Sequence, residues 1–174
     1  MNRTFRSFAA SLLAAVLLGG LPAFSAAATL PRLEADSLGG THVVLPDDAA
    51  GKPIVLVLGF ARDSESALDM WAHKLLASVG AKAVLYVVIV ADAAPFFEKR
   101  HVTKGIAGSA LATQEQLRNN VLVTFSGKGW RGLVPPGPGK DAGIVVVDSS
   151  GNIVYAKREP YSDSALSEAG KAVP

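Results

Sequence analysis

The stretch GKPIVLVLGF, Gly51–Phe60, decides how the rest of the chain is read. From Pro53 to Phe60 it is continuously apolar and rich in β-branched residues, the pattern of a strand covered on both faces. Ser64 follows as an N-cap, with Glu65 well placed in a first helical turn. Leu68, Trp71, Ala72, Leu75, Leu76 and Val79 then repeat at helical spacing and form one apolar stripe. Gly80 is placed to end that helix. A second apolar run, AVLYVVIVAD (Ala83–Asp92), comes next. Strand, helix and strand, with both strands continuously apolar, predict a parallel βαβ unit.

Toward the C-terminus, Pro95 opens a helix that sets Phe96, Phe97 and Val102 toward a core and ends at Gly105 and Gly108. TQEQLRNN (Thr113–Asn120) carries a capping signal and reads as a short helix. VLVTF (Val121–Phe125) is a third parallel strand, KGWRGLV a single helical turn, and PPGPGK (Pro135–Lys140) a loop. GIVVVD (Gly143–Asp148) and NIVYAKR (Asn152–Arg158) form a β-hairpin whose three-residue loop ends in Gly151, a residue suited to a left-handed position. SDSALSEAGKAV closes the chain as a helix on the sheet.

Toward the N-terminus, residues 29–40 are mixed and carry Gly39-Gly40, the composition of a loose lead-in; Thr41–Leu45 is a short strand. Residues 1–28 have the three parts of a secretory leader: Arg3 and Arg6, an apolar core from Phe8 to Leu18, and the small residues of AFSAAA, with cleavage after Ala27 or Ala28. The apolar core is shorter than the ~20 residues of a membrane span. The expected division is therefore a leader over 1–28, a lead-in with one strand over 29–50, and a single domain over 51–174.

The net charge of +2 comes from 17 basic and 15 acidic residues. Arg3 and Arg6 account for the whole excess, so the chain beyond the leader balances at 15 against 15. No basic block remains, and nucleic-acid binding has no electrostatic footprint. The chain contains no cysteine, which excludes disulfides, thiol–disulfide exchange, thiol peroxidase chemistry and thiolate metal sites.

The remaining chemistry is thin. Ser64 or Ser66 with His42, His73 or His101 would supply the residue types of a hydrolytic triad, but no G-x-S-x-G elbow is present and capping explains Ser64. Glu65, Asp69 and His73 share one helix face and are metal-ligand types. Three successive turns spread them along ~12 Å, too far for one ion, and Asp69–His73 is an ordinary i,i+4 pair. No catalytic residue, metal site or cofactor is expected. Binding candidates are Arg62, Asp63, Ser64 and Ser66, on a loop at the carboxyl end of a parallel strand where α/β folds bind ligands. To these we add Arg100 and Lys104 from a small basic cluster, and Trp130, set between glycines beside Arg131 as an exposed contact. Plainer readings stand beside each: a local surface pair for Arg62, a solvated helix face for the basic cluster, core packing for either Trp.

The order βαβ, helical middle, ββα tail, with GKPIVLVLGF and GIVVVDSSGNIVYA in it, resembles the thioredoxin-like superfamily from about Gly51 to Val173. GFARDSESALDMW followed by FFEKRHVTKGI is similar to its cysteine-lacking branch, which includes the ATP synthase assembly chaperones and small exported bacterial relatives. The matching positions are Phe60, Arg62, Trp71, Arg100, Lys104 and Gly105. Redox members place cysteines where this chain has Asp63–Ala67, and a cis-proline where it has Asp141-Ala142-Gly143. The resemblance implies an α/β fold of the thioredoxin-like type, a central mixed sheet flanked by helices. It also implies a non-redox periplasmic factor that binds another envelope protein in a chaperone-like way. Two alternatives remain open at this stage: an enzyme using a serine at the former redox site to poise an external thiol such as glutathione, and a purely structural domain.

Overall fold

The computed structural model of the chain describes residues 28–94, 103–106 and 115–174. Gly51–Phe60 contains β3 (Ile54–Gly59), an interior strand of the sheet, buried at all six positions. The other strands are β1 (Leu33–Ser37), β2 (His42–Leu45), β4 (Val84–Val90), β5 (Val121–Thr124), β6 (Ala142–Val147) and β7 (Ile153–Glu159). They form one seven-stranded sheet in the order β2-β1-β5-β4-β3-β6-β7. β3, β4 and β5 run parallel; β6 lies antiparallel on the other side of β3 and carries β7 in the predicted hairpin. Gly151 closes that hairpin at φ +85°, the left-handed geometry expected of it.

Alternation along each strand divides the core in two. Ile54, Leu56, Leu58, Tyr86, Val88, Val90, Val145 and Val147 face one cluster, which also holds Phe60, Trp130, Leu133 and Val134. Val55, Val57, Leu85, Val87, Ile144 and Val146 face the other, covered by α1 (Glu65–Val79) and α3 (Asp163–Ala172). The predicted stripe of α1 is the buried one: Leu68, Trp71, Ala72, Leu75 and Val79. Gly80 ends α1 at φ +51°, its N–H donating to the Leu76 carbonyl. Ser162 caps α3 by accepting from the Ala165 N–H. The short α2 (Glu115–Arg118) leads into β5.

Two expectations change. Residues 29–40 are not a loose lead-in: Leu33–Ser37 is a strand, with Leu33, Ala35 and Ser37 inward and Glu34 and Asp36 outward. It pairs with β2 and, through Asp36 and Ser37, with β5, so the N-terminal hairpin extends the sheet. Ser64 sits before α1, but its side chain caps nothing; its hydroxyl turns back and donates to the Ala61 carbonyl at 2.6 Å. The backbone of Arg62–Ser64 is already a tight helical turn, which leaves Ser64 out of the extended geometry a capping side chain needs. The helix expected from Pro95 falls largely outside the described residues, although 103–106 are helical. Among the described residues no helix is long and apolar enough to cross a membrane.

Candidate functional site

The carboxyl ends of the three parallel strands converge on one corner. β3 delivers Phe60 and the Arg62–Ser64 turn, the chain after β4 delivers Asp92, and the chain after β5 delivers Gly127 and Arg131. Arg131 grips Asp92 with two hydrogen bonds, Nε to Oδ2 at 2.8 Å and Nη2 to Oδ1 at 2.5 Å. The Arg131 hydrogen bonds hold the Asp92 carboxyl below the usual carboxylate range and raise the guanidinium in turn. Gly127 makes room for this pair.

Phe60, nearly buried, is a platform for cations. The Arg131 guanidinium lies 5.3 Å from the ring centroid and that of Arg158 lies 4.7 Å away. Both are within the range at which a cation is attracted to a ring face. The two arginines differ in their partners. Arg131 is neutralised by Asp92, whereas the half-buried Arg158 makes no hydrogen bond or ion pair among the described residues, and its Nε is buried without an acceptor.

The Pro135–Lys140 segment arches over this corner with glycines at its close contacts. A Cβ at Gly137 would stand 3.1 Å from Arg158 Cδ, and one at Gly139 3.2 Å from Ala61 Cβ and 3.5 Å from Asp63 Oδ1. The arch therefore touches both the Arg62–Asp63 turn and the Arg158 side chain.

The sequence-predicted residues separate on this frame. Arg62, Asp63 and Ser66 are exposed, Asp63 beside the arch; Ser64 is buried. Lys104 is exposed on the 103–106 turn, and Arg100 lies outside the described residues. The reading of Trp130 as an exposed contact is overturned: it is 1 % exposed and packs in the same cluster as Leu58 and Phe60. Its flanking glycines let the chain turn inward, and Gly129 does so at φ +90°. His73 and Asp69 approach to 3.7 Å as an i,i+4 pair, and no group of three metal-ligand residues forms among the described residues. At Asp141-Ala142-Gly143 the chain enters β6, and a Cβ on Gly143 would be 3.0 Å from Val134 Cγ2.

Asp92 and Arg158 escaped sequence reasoning, and Arg131 and Phe60 were noted without their roles. Their signal was position: a charged residue just past the end of a buried strand, or late in a hairpin, reaches the same rim.

Solved structures of thioredoxin-like proteins match this architecture. An exposed lipoprotein thioredoxin of Streptococcus pneumoniae superposes with a TM-score of 0.60 at 18 % identity, over 81 % of this chain and 98 % of its own. A thiol:disulfide interchange protein of Chlorobium tepidum gives 0.59 at 13 % identity, over 83 % and 92 %. StoA of Bacillus subtilis gives 0.54 at 13 %, over 80 % and 96 %. No protein-family model matches the chain, and no curated protein sequence does. The fold is thioredoxin-like: an open, mixed seven-stranded sheet flanked by helices. The particular version here is cysteine-free.

Proposed function

We propose that this chain is an exported, non-redox thioredoxin-like protein that binds a segment of another envelope protein in a chaperone-like way. The corner at the carboxyl ends of β3, β4 and β5 would be its binding surface. The observation that carries the reading is that this corner keeps an exposed Arg62–Asp63 turn under a glycine arch, in a chain with no cysteine to do chemistry there. Loops at this end of a parallel sheet are the ones free to vary while the scaffold holds them. The leader-like N-terminus and the exposed-lipoprotein relative support an extracytoplasmic setting. A partner-assembly role of the kind held by the cysteine-lacking chaperones agrees with the F-x-R start at Phe60–Arg62. The exposed Lys104, and Arg100 by its place in the sequence, are further candidates for contact with the partner.

For the serine-enzyme alternative, Ser64 is buried with its hydroxyl spent on Ala61, which leaves the exposed Ser66 as its candidate.

The test is photocrosslinking in cells, with a photoreactive residue at Arg62 or at Lys140 and adducts identified by mass spectrometry. One recurrent envelope-protein adduct from both positions is the expected result. Abundant protein that yields no adduct from either position overturns the reading.

A further inference from the structure

The three charged residues that end β7 have different fates. Lys157 is paired with Glu168. Glu159 accepts a hydrogen bond from the Tyr155 hydroxyl at 2.8 Å. Arg158, between them, has no acceptor among the described residues, although a guanidinium carries five N–H donors in a planar fork. It is nonetheless held in place: its stem packs against the Gly137 position and its guanidinium stacks 4.7 Å from the Phe60 centroid. A buried donor without an acceptor, as Nε is here, is rare and calls for an explanation. With Nε enclosed, the two Nη groups at the far end of the guanidinium are the edge that can meet a carboxylate with two parallel hydrogen bonds.

We propose that Arg158 is a carboxylate-recognition site, which takes an acidic side chain or a free C-terminus from the chain bound at this corner. The proposal deepens the binding reading and rests on it. Asp92 is committed to Arg131, and Glu159 points to the other face of β7 and bonds Tyr155, so neither carboxylate fills the role from within. Asp63, whose carboxylate borders the arch at Gly139, adds negative charge to this corner, and a monoanionic carboxylate meets less repulsion there than a phosphate dianion. The glycines at 137 and 139 keep side chains out of the space between the arch, Asp63 and Arg158.

The proposal is tested on the cysteine-free domain, labelled so that the arginine side-chain N–H signals are resolved by NMR. The probes are acetate, an end-blocked tripeptide with one central glutamate, an acetylated diglycine with a free C-terminus, and inorganic phosphate. The Arg158 Nε–H signal is expected to shift saturably with acetate, while Arg62 and Arg131 do not follow it. Tighter response to the glutamate peptide identifies a side-chain carboxylate as the ligand, and tighter response to the diglycine identifies a terminus. Arg158→Lys, which keeps the charge and most of the stem, is expected to weaken the response about tenfold by losing the two-pronged geometry. Its Tm confirms that it folds.

A shift that never saturates, a shift that persists in Arg158→Lys, or a preference for phosphate overturns the proposal. So does an Arg62 crosslink of undiminished yield in that variant, and in that case the partner reading survives alone. Carboxylate binding at Arg158 with no crosslinked partner would sustain the site and sink the partner reading.

Discussion

Gly127 and Asp92 occupy space that only a glycine leaves open. A Cβ at position 127 would lie 1.8 Å from Asp92 Oδ2 and 3.1 Å from Arg131 Nε. The two residues are 35 positions apart in the sequence, and the parallel pairing of β4 with β5 brings their loops together.

Gly127→Ala is therefore expected to push Asp92 off Arg131 and to destabilise the domain by about 1–3 kcal/mol, the usual cost of forcing a group into filled space. Urea unfolding measures it. Adding Asp92→Ala to that variant removes the obstructing carboxylate, so the second substitution should recover part of the loss. A double variant no more stable than Gly127→Ala would remove Asp92 as the cause.

The same pair sets an acid limit. Asp92 is held below the usual carboxylate range by the Arg131 hydrogen bonds. Its contribution is present above the unfolded-state value and is lost as pH falls through the lower folded-state value. Unfolding midpoints followed from about pH 5 to about pH 2 should fall less steeply in Asp92→Asn than in the parent. Parallel curves would overturn this.

His42 acts in the opposite sense at the far edge of the sheet. Its Nδ1 sits 2.8 Å from Asp36 Oδ1, and that hydrogen bond raises the imidazole above 6.5. Stability from this contact is complete below 6.5 and disappears as pH rises through the raised folded-state value. An NMR titration should place His42 above 6.5 in the parent and return it toward 6.5 in Asp36→Asn.

Trp130→Ala should cost about 3–5 kcal/mol, as for other fully buried Trp side chains, and lower the Tm of the whole domain. A change below about 0.5 kcal/mol, the range of surface substitutions, would restore the exposed reading of this residue. Fluorescence of a Trp71→Phe variant, in which Trp130 alone reports, should be blue-shifted in the folded state.

The core of the fold was legible because burial on both faces leaves no polar positions. Pro53–Phe60 and Ala83–Asp92 can hardly be anything but central parallel strands, and the stripe from Leu68 to Val79 can only pack against them. β1 hid because its alternation is Leu33, Ala35 and Ser37 against Glu34 and Asp36; one small and one polar inward residue look like a loop until β5 supplies the pairing edge. Trp130 was misplaced for the reverse reason. Glycines on both sides suggest an exposed loop, and only the open face beside Leu58 shows that the loop folds inward.

What the sequence determined alone is the class of sheet, the position of its central strands, and the exclusion of thiol chemistry, since these follow from local pattern and from composition. What the tertiary structure decided is the corner itself. Phe60, Asp92, Arg131 and Arg158 come from four segments spread over nearly 100 residues, and no local pattern links them. They meet because β3 lies between β4 and β6, and β6 carries β7. The partners that this order allots leave Arg131 neutralised and Arg158 open.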